Sequence, residues 1–121
     1  MNRTTISWIL RIIVAVILLQ TLFFKFSAAP ESVYIFEQLD MEPYGRIGVG
    51  IAELIASLLI LYPRTRRIGA ALAVMLMIGA IHSHLNVLGI EVMDDGGQLF
   101  IMAVVVLLAA IGAFFISAKS K

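Results

Sequence analysis

One carboxylate in this chain stands where carboxylates are costly. Glu53 lies inside the apolar run from Arg46 to Tyr62, RIGVGIAELIASLLILY. An ionisable group at membrane depth usually faces a bundle interior or a wet cavity, where it pairs, holds an ion or passes a proton. At about 100° per residue, Arg46, Gly50, Glu53 and Ser57 project within about 60° of one another. They form a narrow small-and-polar stripe on an otherwise oily rod. A second run offers a matching face, on which Met75, Gly79, His82 and Asn86 also fall within about 60°. His82 is six residues before Leu88 and Glu53 six residues after Ile47, so each lies about 9 Å from its end of the run at 1.5 Å per residue. Gln20, six residues before Phe26, reaches a similar level. A Glu53–His82 pair at that depth could hold or relay a proton. The same side chains could instead only fasten helices together, as polar groups in membrane bundles do.

Other chemistry is narrowed by the same geometry. His84 lies about 200° from His82, so the two cannot ligate one ion from a regular helix, and no metal site is expected. The chain has no cysteine, which removes disulfides, thiol nucleophiles and thiolate-held metals. Net charge is +1, and nothing points to nucleic acid. Arg11 and Lys25 project to within about 40° of each other near opposite ends of the first run. Both can snorkel to headgroups. Lys25, at the level of the acidic connections, could also pair with Glu53 or with an anionic ligand group.

These residues need a scaffold, and composition says which. Hydrophobic residues make up 61% of the 121 and charged ones 14%. A soluble domain of this size buries only about 60–70% of its chain surface and could not hide so much apolar area. Four apolar runs, about 6–26, 47–62, 68–88 and 98–117, each approach the roughly 20 residues that cross a bilayer. The second is short and must borrow its flanks. The first is read as a retained helix rather than a signal peptide. It exceeds the usual apolar core of about 7–15 residues and carries Arg11 and Gln20. The expected fold is all-α, a single transmembrane domain built as a four-helix bundle in the lipid bilayer.

The connections add detail. Pro30-Glu31-Ser32 is a helix start, with proline in the first turn and an early acid. Val33, Ile35, Phe36 and Leu39 would then form a short lid helix on the outer face. Asp94 or Asp95 is placed to cap the fourth span. Arg3, Arg64, Arg66, Arg67, Lys119 and Lys121 share one side of a four-span topology, which the positive-inside rule makes cytoplasmic. Every acidic residue except Glu53 falls on the other side. Both termini are therefore expected in the cytoplasm.

Several stretches resemble the DoxX and DoxX-like family of small four-helix bacterial membrane proteins. They are LLQTLFFKF (Leu18 to Phe26), APES (Ala29 to Ser32), EPYGRIG (Glu42 to Gly48) and SHLNVLGI (Ser83 to Ile90), together with Arg11, Lys25, Glu53 and Pro63-Arg64. The chain departs from the family pattern at Leu22, where a glycine is usual. The family takes its name from a small subunit of a thiosulfate:quinone oxidoreductase. The resemblance thus implies a redox-associated membrane protein, and with the residues above the first reading is a bacterial inner-membrane subunit with an oxidoreductase partner and a polar pocket in the outer leaflet. There Glu53 and His82 would exchange protons with a quinone headgroup oriented by Gln20 or Lys25, with Asn86 beside them. The other reading is a structural, assembly or lipid-binding protein, and either could form a homo-oligomer.

Overall fold

The computed structural model describes residues 2–93 and 95–116. Five α-helices follow one another: α1 Arg3–Phe26, α2 Pro30–Gln38, α3 Tyr44–Leu61, α4 Arg66–Ser83 and α5 Gln98–Phe115. A 3-10 turn at Pro63–Thr65 joins α3 to α4, and a π-helical turn at His84–Leu88 extends α4. No strand occurs among the described residues. α1, α3, α5 and the stretch Pro63–Leu88 are long and apolar enough to cross a membrane.

Local signals explain the boundaries. α1 begins three residues earlier than hydropathy suggests because the Asn2 side chain accepts the Thr5 N–H at 2.9 Å and caps it. α2 starts on Pro30 with Glu31 in its first turn, as expected. α3 does borrow its flank, starting at Tyr44. α5 begins after Gly97, whose φ of +84° suits a residue without Cβ. Asp95 serves its start, accepting the Gly97 and Leu99 N–H groups at 2.8 and 3.2 Å. Asp94, the alternative cap, and the end of the fourth apolar run beyond residue 116 lie outside the described residues, as do Lys119 and Lys121.

The spanning helices pack in the cyclic order α1, α3, α4, α5, so each leans on two neighbours. The core between them is rich in small side chains, including Ala56, Ala70, Ala73, Ala109, Ala110 and Ala113. Small residues let backbones approach closely in a membrane, where contact and hydrogen bonds hold helices together. Gly69 marks the tightest approach. A Cβ there would stand 2.3 Å from the Ile60 nitrogen.

Arg11 corrects the sequence reading. It is 1% exposed rather than snorkelling. Its Nε donates to the Ile60 carbonyl at 2.6 Å and its Nη2 to the Leu61 carbonyl at 3.0 Å. The guanidinium also lies 3.8 Å from the centre of the Trp8 ring. A helix leaves its last carbonyls without internal partners, and Arg11 on α1 supplies donors to those of α3. Arg46 returns the service. From α3 its Nη1 donates to the Lys25 carbonyl at the end of α1, while its Nε binds Glu42 at 2.9 Å. Each arginine thus closes the other helix.

Candidate functional site

The α1–α3 pair, so clamped, presents two charges to the bundle interior. On α3 the residues Arg46, Gly50, Glu53 and Ser57 are all buried, so the polar stripe does face inward. Glu53 is 3% exposed. Lys25, in the last turn of α1, reaches it, with Nζ 3.2 Å from Oε1. That approach lacks hydrogen-bond alignment, and among the described residues no aligned hydrogen-bond partner meets Oε1. Thr21, one turn before Lys25, lies against the same carboxylate.

These groups border a cavity of about 330 Å³ to which all five helices contribute. Ligand sites start near that size, at about 300 Å³. α2 is the roof: Ser32 and Phe36 are buried and Ile35 and Leu39 line the space. The lid helix expected from Pro30-Glu31-Ser32 is therefore present and covers a void. The walls are mainly hydrophobic, with Leu18, Met77 and Val106 among them. The expected polar pocket is instead an apolar chamber holding an ion pair and a few neutral polar groups. The cause is the inward turn of the alanine, leucine and methionine faces, which leaves few positions for polar side chains.

The other sequence candidates are placed elsewhere. His82 and Asn86 are exposed on the outer face of the bundle, where Asn86 Nδ2 donates to the His82 carbonyl at 2.9 Å. Met75 and Gly79 of the same stripe are exposed as well, although both edge the cavity. Gln20 is exposed and borders a separate hollow of about 240 Å³ with Glu31 and Gln98. Glu53 and His82 are thus not brought together. His84 is the histidine that enters, 5% exposed and on the cavity wall. The reason is the true inner line of α4, in which Ala70, Ala73 and Met77 are buried and Ala80 and His84 continue the spacing. With about 200° between the two histidines, one inside sends the other outside. The small residues of that line were the available signal, and the polar stripe misled.

Among the described residues no three histidine or acidic side chains cluster as metal ligands would. What the chamber can do is enclose a lipophilic molecule and meet its few polar atoms with charge-assisted hydrogen bonds, which are stronger than neutral ones.

No curated protein and no solved structure matches this sequence. A family comparison does, over residues 9–114, which take in both charged cavity residues and all or most of each of the four spans. The chain is a multi-pass membrane protein that belongs to the DoxX-like family.

Proposed function

We propose that this protein binds a lipophilic small molecule of the quinone class in the chamber beneath α2, as a redox-associated subunit. The observation that carries the reading is the buried Lys25–Glu53 pair facing an apolar cavity, with Glu53 Oε1 free of hydrogen bonds. An ion pair sealed in packed protein gains little over an apolar pair of the same shape. Placed at a cavity it has an unfilled oxygen to offer. The residues fit a quinone: hydrophobic walls for the ring and tail, the Lys25 ammonium to donate to a carbonyl oxygen, and Glu53 to hold a proton at Oε1. A quinone would supply electron-carrying chemistry. With no cofactor motif in the sequence, the electrons would come from a partner oxidoreductase. The link to redox complexes rests on the family resemblance. On this reading the membrane is the bacterial inner one, and the bias of the basic residues argues for termini and basic turn towards the cytoplasm, with the chamber in the outer leaflet.

A second reading has its own observation. Lys25 and Glu53 join α1 to α3 just as the two arginine caps do, which suits a structural or assembly protein. Native mass spectrometry of protein released from membranes with its lipids separates the two. A retained quinone or related lipophile in wild type, lost in Lys25→Met, supports binding. A bare protein, or the same retention in Lys25→Met, contradicts it.

A further inference from the structure

One titratable group on the cavity wall has no part in the account above. His84 opens the π-helical turn that follows α4. Such turns are costly local departures from the α-helix and recur at functional sites. Here the turn ends at Gly89, whose N–H donates back to the His84 carbonyl at 2.7 Å and whose φ is +81°. The imidazole is gripped on two sides. Its Nδ1 lies 3.0 Å from the Gly89 carbonyl, and its ring meets Phe100 edge-on, centres 5.5 Å apart. A carbonyl only accepts, so Nδ1 carries the hydrogen. Nε2 of the neutral ring then bears a lone pair, and no hydrogen bond from any described residue fills it.

The remaining polar groups on the wall include both acceptors and donors. Glu53 Oε1 is unfilled. The Ser83 hydroxyl donates to the Gly79 carbonyl at 3.0 Å, and the Thr21 hydroxyl lies between the Leu18 carbonyl, at 3.0 Å, and the Glu53 carboxylate. The donors on the wall are the Lys25 ammonium, with three N–H groups and one contact to Glu53, and the Ser32 hydroxyl. An unmet polar group against apolar walls is expensive, so a well-matched guest brings a group that can donate to Nε2 or Oε1 and accept from Lys25, as a hydroxyl can and an ether cannot.

We infer that the cavity selects lipophilic molecules bearing hydroxyl groups, phenols or hydroquinones rather than their ethers, with His84 Nε2 accepting from the hydroxyl. The inference rests on the reading that the chamber binds a lipophilic small molecule. It adds which form is preferred and which residue chooses it. His84 is a specificity-determining residue held by Gly89 and Phe100.

Two substitutions divide its roles. Asparagine places an amide nitrogen near the Nδ1 position, so His84→Asn keeps the bond to Gly89 and removes the acceptor at Nε2. Glutamine reaches the Nε2 position, so His84→Gln loses the Gly89 bond and keeps an acceptor in the cavity. The test measures dissociation constants of 4-octylphenol and its methyl ether, 4-octylanisole, for protein in nanodiscs. Wild type should bind the phenol about tenfold tighter, the size of one hydrogen bond in a dry site. His84→Asn should erase the preference and His84→Gln restore most of it. Equal binding of phenol and ether by wild type overturns the donor preference, and a preference that survives in His84→Asn overturns the role of His84. In either case the binding reading stands. If neither probe binds wild type, both fall.

Discussion

Lys25 Nζ approaches Glu53 Oε1 to 3.2 Å across the α1–α3 interface, yet that oxygen has no aligned hydrogen bond. The two charges oppose each other directly, and both residues border the apolar cavity. Removing one partner of a buried pair leaves an uncompensated charge and costs about 3–5 kcal/mol, whereas neutralising both can be close to neutral. Lys25→Met should therefore be markedly less stable than wild type, and Lys25→Met with Glu53→Gln should regain most of the loss. Reversible unfolding in detergent measures both. Equal stability of single and double variants would show that the pair is not buried as described.

Arg11 gives the second prediction. Its two bonds serve the last carbonyls of α3, and its guanidinium lies on Trp8. Lysine offers neither the fork nor the flat face. Arg11→Lys should lose about 1–3 kcal/mol, the cost of leaving a buried acceptor unmet. A snorkelling anchor would tolerate lysine, so an unchanged unfolding midpoint would contradict the cap.

Two glycines make a matched comparison. At Gly69 a Cβ would meet the Ile60 backbone at 2.3 Å, and at Gly79 nothing lies within 4 Å. Backbone cannot yield cheaply, so Gly69→Ala should cost about 1–3 kcal/mol through overpacking. Gly79→Ala should be neutral or slightly stabilising, since alanine favours a helix interior by up to about 1 kcal/mol. The unfolding curves of the two variants should lie on opposite sides of the curve for wild type, or nearly so.

Much of this frame was legible in the residues. Spacing alone put Arg46, Gly50, Glu53 and Ser57 on one inward face, and Pro30 with Glu31 announced the lid. Lys25 as a partner for Glu53 followed from charge and level. The histidines were not legible in the same way. Polar residues on α4 drew attention to His82, while the alanines that govern close packing run to His84. A π-helical turn depends on what the chain must meet at Gly89 and Phe100, which no local spacing reveals. Arg11 was misjudged because its partners lie on another helix, at carbonyls whose exposure depends on where α3 stops.

Asp95 yields a pH prediction outside the spans. Burial pulls its carboxyl upward, but the N–H groups of Val92, Gly97, Leu99 and Gln98 together pull harder, and it sits below its ordinary value. A carboxyl lowered by folding adds stability that is present above its unfolded value, about 3.9. That stability is lost as pH falls through the folded value. Asp95→Asn should thus be less stable than wild type at neutral pH, and the gap should close as pH drops below about 4. Unfolding midpoints from pH 7 down to pH 2 check it. A gap that persists at the acid end would mean that the charge is not what Asp95 contributes.

The most direct measurement joins binding to stability at Glu53. Glu53→Gln keeps volume and an acceptor oxygen but removes the charge. In one nanodisc preparation, the melting of wild type and variant is followed with and without decylubiquinone, a short-tailed quinone. A bound molecule stabilises by mass action, by about 2.7 kcal/mol at a hundred times its dissociation constant. The account predicts a folded Glu53→Gln that melts lower than wild type, its Lys25 left without a counter-charge, and whose melting no longer responds to the quinone, beside a wild type whose melting rises with it. A wild type that ignores the quinone, or a variant that responds as strongly, would contradict it.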